Sequence, residues 1–193
     1  VVDNSMGFTP LEGLVMGTRC GDVDAGALEY LAKKENLDFQ QIMTILNQES
    51  GVLGISSNFS SDFRELKDAE IKYNDKAALA REIFVYRVAK YIGSYAAAMN
   101  GVDNIVFTAG VGENDSDIRE QICEYLEFLG ITIDEVKNRE QAEAVRISDG
   151  TSRVNVLVIK TNEELEIARE AAALAEKVKR IDIAFNKRKP PSE

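Results

Sequence analysis

Apolar residues recur at helical spacing over most of this chain, interrupted by two short β-branched runs. Residues 1–24 break that rule. They hold Gly7, Gly13, Gly17 and Gly21 with little periodicity, so they read as loops and short turns rather than a regular element. Met6, Phe8, Leu11, Leu14, Val15 and Met16 argue against disorder there, and long ordered loops in compact domains tend to be functional. A helix is predicted from Asp24, with Leu28 and Leu31 on one face, and a second over Phe39–Gln48. Asp38 is the expected N-cap of that second helix, and Gly51 lies beyond its end. A shorter helix is predicted over 63–69. Residues 75–100 carry the longest helical pattern, in which Phe84, Val88, Tyr91, Ile92, Tyr95 and Met99 recur at helical spacing and Ala-rich turns fill most of the remaining surface, so burial on more than one side is expected, with Asn100-Gly101 as the stop.

The run Asn104-Ile105-Val106-Phe107-Thr108 reads as a buried strand. A helix over 115–129 follows, with Ile118, Ile122, Leu126 and Leu129 as its stripe and Gly130 as its cap. A strand is expected over 144–147 and another over 154–159. Thr161 to Glu164 matches a capping box opening a helix to about residue 180, and the charged, Pro-containing residues 187–193 are expected to fray. Alternating strands and helices point to an α/β layer architecture.

Composition narrows the function. The 193 residues suit one compact domain, with or without an appendage, which buries roughly 70% of its unfolded surface and needs no disulfide staples. There is no His, which removes Ser-His-Asp and Cys-His catalysis, His-bound zinc and His-bound haem. The 33 acidic and 23 basic residues give a net charge of −10, which argues against non-specific nucleic-acid binding but permits a local basic site for ATP. Cys20 and Cys123 fit no metal spacing and read as reduced thiols of a cytosolic protein. No apolar run reaches the roughly 18 residues of a membrane span, and the opening does not read as a signal peptide. The chain opens Val1-Val2-Asp3 without Met, as a start inside a longer protein or a processed start would.

Four places could carry chemistry, and each also has a plainer reading. Phe107 to Asn114 runs a strand through Gly110-Val111-Gly112-Glu113 toward a helix; such a turn can hold a phosphate or let a flat base lie on the main chain, or it is simply a turn. Arg19, between Gly17 and Gly21 and near Asp22, is either a phosphate clamp or half of a structural Arg–Asp pair. Glu163, beside the capping-box Glu164, is free to face a ligand or metal-bound water, or it complements the helix dipole at about 0.3–1 kcal/mol. Asp62 and Arg64 flank Phe63 at a helix start, where they could hold a ribose and stack a base, or merely cap the helix.

The run Ser5-Met6-Gly7-Phe8-Thr9-Pro10-Leu11-Glu12-Gly13-Leu14-Val15-Met16-Gly17-Thr18-Arg19, continuing to Asp24, closely resembles a signature of the acetate kinases. Glu49-Ser50-Gly51-Val52-Leu53-Gly54-Ile55-Ser56, Asp62-Phe63-Arg64, Gly110 to Asn114 and Thr161-Asn162-Glu163-Glu164-Leu165 extend the resemblance, in the family's order. It implies the C-terminal lobe of the acetate and sugar kinase, Hsp70 and actin fold, an actin-like (ribonuclease H-like) ATPase lobe. It also implies reversible, Mg²⁺-dependent phosphoryl transfer from ATP to acetate, giving acetyl phosphate and ADP, in a cytoplasmic homodimer. Propionate or butyrate kinase, and a non-catalytic nucleotide-binding or dimerisation module, are the alternatives.

By the same resemblance Arg19 contacts the transferring phosphoryl group and Glu163 helps organise Mg²⁺. Asp62, Phe63, Arg64, Gly110, Val111, Gly112, Glu113 and Asn114 line the nucleotide pocket. Cys20 stands where the family usually has Ser, Ala25 where Pro is common, Phe63 where Met is common and Ala109 where Gly is common. The family is about twice as long, so the resemblance implies that the N-terminal lobe and the opening strands of this one are absent. It divides the chain into a lobe over 1–161, a helix over 162–180 that packs on the N-terminal lobe in the family, and a tail over 181–193. A fragment inactive on its own, an open sheet edge and exposed Leu165, Ile167, Leu174 and Val178 are expected.

Overall fold

The computed structural model describes the backbone of residues 1–186 and the side chains of residues 1–178. The tail expected over 187–193 lies outside the described residues. Compact packing divides the chain into two units, Val1–Ile159 and Lys160–Glu193.

The first unit opens with the expected loops and then α1 (Ala25–Glu35), capped by Asp24, and α2 (Phe39–Gln48). Asp38 closes α2 with a capping box: its carboxylate accepts from Gln41 N at 2.8 Å, and the Gln41 side chain accepts from Asp38 N at 2.8 Å. Gly51 does more than follow this helix. It opens a further short one, α3 (Gly51–Ile55), at φ +62°, and a Cβ there would sit 2.2 Å from Met16 O. That close approach lets the 16–19 loop hydrogen-bond to the start of α3, through Val52 N to Met16 O and Leu53 N to Gly17 O, both 2.9 Å.

α4 (Phe63–Ile71) and α5 (Asp75–Ala98) follow. α5 is covered on more than one side, as expected, and its most buried face is the small one. It is Ala77, Ala80, Arg81, Val85, Ala89 and Ala96, while Phe84, Val88, Tyr91, Ile92 and Tyr95 are half-buried and Met99 is exposed. Small residues win the centre because α3, α4 and α7 (Ser116–Glu124) all pack on α5.

After β1 (Asn104–Phe107), the glycine turn is itself helical, α6 (Ala109–Asn114). The helix expected over 115–129 is two pieces: α7 ends at Glu124, and a separate 3₁₀ turn covers Glu127–Leu129. Leu126 N bonds to Cys123 O, three residues back, which tightens the turn and ends the α-helical run. α8 (Glu135–Asn138), β2 (Ala144–Arg146) and β3 (Asn155–Ile159) complete the unit. The sheet order is β1-β3-β2, with β1 parallel and β2 antiparallel to β3. Ile105, Phe107, Val156 and Val158 face a core with Val85 and Ala89 of α5 and Ile118, Ile122 and Cys123 of α7. The other face leaves Val106 and Ile159 exposed. Among the described residues β1 pairs with β3 alone, so its outer edge carries no strand, as expected.

The second unit is α9 (Glu163–Asn186), which runs past the expected end at residue 180. Asn162 Oδ1 accepts from Leu165 N at 3.0 Å at the opening of this helix. Leu165, Ile167, Leu174 and Val178 are all exposed. Among the described residues no helix is long and apolar enough to cross a membrane.

Candidate functional site

Two walls from distant parts of the chain enclose a cleft of about 620 Å³. One wall is Asp62, Phe63, Arg64, Lys67 and Asp68 on α4; the other is Gly110, Val111, Asn114 and Asp115. That volume lies within the range of small-molecule sites, roughly 300–1,000 Å³. Six of the eight expected nucleotide residues line it: Asp62, Phe63, Arg64, Gly110, Val111 and Asn114.

Gly112 and Glu113 do not line the cleft; they hold its turn from behind. Gly112 backs onto Phe107, where a Cβ would come within 3.4 Å of backbone. Glu113 Oε1 accepts from Ala109 N at 2.7 Å. This bond fixes Ala109 at φ +59°, the left-handed region. An L-residue there costs about 1–2 kcal/mol, and glycine would relieve it while loosening the unfolded chain by about 0.4–1 kcal/mol. Ala109→Gly is therefore expected to stabilise the chain by about 0.5–1 kcal/mol, read as a higher urea midpoint; a lower midpoint contradicts it.

Asp62 caps α4 by accepting from Arg64 N at 2.8 Å, and Arg64 folds back onto it, with Nε to Oδ1 at 3.1 Å and Nη2 to Oδ2 at 2.6 Å. The Arg64 side chain, with the backbone bond, holds the Asp62 carboxyl down at about 2. Capping and the pocket role therefore coexist at this helix start. Phe63 packs on Phe84 of α5, with ring centroids 4.5 Å apart, which fixes its ring on the cleft wall. At Gly110 the backbone is open: a Cβ would meet nothing within 4 Å. An aromatic ring and bare main chain on facing walls suit a flat heterocycle.

Sequence reasoning missed the charges behind the walls. Lys67 bridges to Asp117 at 2.8 Å and to Asp115 at 3.6 Å. Burial pushes the Asp115 carboxyl up, but the hydrogen bond and charge of Arg81, the Ile118 N–H and Lys67 outweigh it and hold the group low. Arg119, 2% exposed, donates to Asn138 Oδ1 at 2.9 Å, to Gly112 O at 2.9 Å, to Glu113 O at 3.0 Å and to Asn138 O. Neither arginine belongs to a recognisable local pattern, since the partners lie 34 and 19 residues away.

Arg19 lies elsewhere in the first unit. It lines a shallow depression with Thr18, Gln40, Met43, Thr44, Asn47 and Gln48, not the cleft. The Arg19–Asp22 pair weighed as its plainer reading does not form. Asp22 instead accepts from Tyr91 OH at 2.7 Å and from Arg87. Arg19 Nη1 meets Met16 Sδ at 3.4 Å, and no ion pair is recorded for it among the described residues. Its loop nevertheless abuts the cleft's rim, because a Cβ at Gly17 would touch Ser61 at 3.4 Å, next to Asp62. Glu163 begins α9 in the second unit and is exposed.

The acetokinase family model matches residues 1–169. The chain belongs to the acetokinase family. The acetate kinase of Helicobacter hepaticus is 56% identical over 178 residues, 92% of this chain and 44% of that protein. Among solved structures, the acetate kinase of Porphyromonas gingivalis matches with a TM-score of 0.83 at 46% identity, over 89% of this chain and 43% of that one. A propionate kinase from Francisella tularensis subsp. tularensis SCHU S4 matches with a TM-score of 0.79 at 43% identity, over 86% and 42%. This chain thus spans less than half the length of the acetokinase relatives it matches. Its mixed α/β architecture with a three-stranded sheet is a part of their fold.

Proposed function

We propose that the complete protein is an acetate kinase, moving the γ-phosphoryl group of ATP to acetate to give acetyl phosphate and ADP, reversibly. In this reading the chain supplies the adenosine cleft and a phosphate-facing arginine. The convergence of six motif residues from 62–64 and 110–114 on one cleft carries the reading. Phe63 and Val111 give the base an apolar seat, and Gly110 admits it to the main chain. In this reading Arg19, which lies outside the cleft and has no ion pair among the described residues, supplies the cation for the transferring oxygens, and charge neutralisation there is the largest service a protein gives phosphoryl transfer. Acetate is already anionic at neutral pH, so the chemistry needs no imidazole base.

Among the described residues no group of three or more His, Cys, Asp or Glu could cage a metal ion. In this reading Mg²⁺ is carried chiefly by the nucleotide phosphates and water, and Glu163 adds a single carboxylate. The ion would supply charge neutralisation on the nucleotide phosphates.

The chain alone is expected to make no acetyl phosphate in a hydroxamate assay, while titration calorimetry detects weak ADP binding. Turnover near the rate of a complete acetokinase overturns the first expectation; no heat at millimolar ADP overturns the adenosine reading. The propionate kinase likeness supports a second reading, in which the complete protein prefers propionate. The ratio of kcat/KM for acetate and propionate decides between them.

A further inference from the structure

The cleft's two walls are separate in sequence, and a single guanidinium stands behind both. Arg81 of α5 is 2% exposed. Its Nε donates to Glu70 Oε2 on α4 at 2.6 Å, and its Nη1 donates to Asp115 Oδ2 at 2.7 Å, between α6 and α7. The same Nη1 lies 3.5 Å from Phe63 O on the first wall. Asp115 in turn caps α7, accepting from Ile118 N at 3.2 Å, and lines the cleft. A buried ion pair is weak evidence for stability, since well-packed apolar groups of equal volume serve as well. What it offers beyond apolar packing is direction: a planar fork fixes both partners' distances and angles, which ring-on-ring contact does not.

We propose that Arg81, acting through Asp115 and Glu70, is a positioning residue that sets the separation of the two cleft walls and so the fit of the bound nucleoside. This rests on the reading of the cleft as the adenosine site. Arg81 touches no ligand; it holds the wall residues that do.

Two measurements on the full 193-residue chain test it. In the first, spin labels at Arg64→Cys and Asn114→Cys, in a Cys20→Ser, Cys123→Ala background, report the wall-to-wall distance without any nucleotide. Arg81→Met is expected to broaden that distribution, and Arg81→Lys, which keeps the charge but not the fork, to broaden it less. In the second, ADP affinity is measured on unlabelled protein at a temperature where each variant is fully folded. Arg81→Met is expected to weaken binding roughly tenfold or more, with Arg81→Lys between it and the parent. A purely structural role would lower the unfolding midpoint yet leave both the distance distribution and the folded protein's Kd unchanged; either one unchanged overturns the proposal. If the parent chain binds no ADP, the adenosine reading falls and the distance distribution alone decides whether Arg81 sets the walls. If Arg81→Met does not fold, Arg81→Lys carries both measurements.

Discussion

Arg119→Met is expected to cost the chain about 3–5 kcal/mol, a large share of the roughly 5–15 kcal/mol that holds a domain together. Four acceptors depend on this guanidinium: both oxygens of Asn138, and the carbonyls of Gly112 and Glu113. Methionine fills the space but donates nothing, so each buried acceptor keeps its desolvation penalty of about 1–3 kcal/mol. Part of the loss is offset because the guanidinium itself is held in an unfavourable place; burial pushes its pKa down. Arg119→Lys keeps a cation without the fork and should recover only part of the loss. Urea denaturation measures both, and a change under about 1 kcal/mol for Arg119→Met would show that the carbonyls find other donors. Amide exchange at residues 109–114 should quicken as well, because two of the orphaned carbonyls belong to α6.

Asp115→Asn is expected to destabilise the chain by about 3 kcal/mol at pH 7, and the difference should vanish in acid. Asparagine keeps the cap on α7, so the change isolates the charge facing Arg81. The folded Asp115 carboxyl titrates below its ordinary value, near 3.9 in an unfolded chain. A depressed carboxyl contributes stability that is fully present above the unfolded pKa and is lost as pH falls through the folded one. Parent and variant should therefore differ most above about pH 5 and converge below pH 4. Parallel midpoint curves from pH 7 to pH 3 would sink the assignment.

The sequence made the elements legible wherever a local signal existed. Asp38 announced the start of α2, and the run from Val154 announced β3, because capping and β-branching act over a few positions. Asp62, Phe63, Arg64, Gly110, Val111 and Asn114 were legible as pocket residues only through the family resemblance, since local chemistry alone favoured a plain cap and a plain turn. What spacing could not show was anything set by long-range packing. Arg81 and Arg119 sit in helical patterns where charge reads as solvent-facing, yet both are buried by partners elsewhere in the chain. That α5 is buried on more than one side was legible from its alanines, but spacing could not show that the alanines, and not the large residues, take the centre where several helices meet. The end of α7 at Glu124 has no glycine or proline to mark it.

The strand order has a consequence for how the chain is made. The middle strand is the last to leave the ribosome: Asn155, which pairs with Asn104, follows it by 51 residues. At about 5–20 residues per second, β1 waits about 3–10 s for its neighbour. During that interval Ile105 and Phe107, which face the core of the finished fold, wait without the β3 ladder that pairs with them.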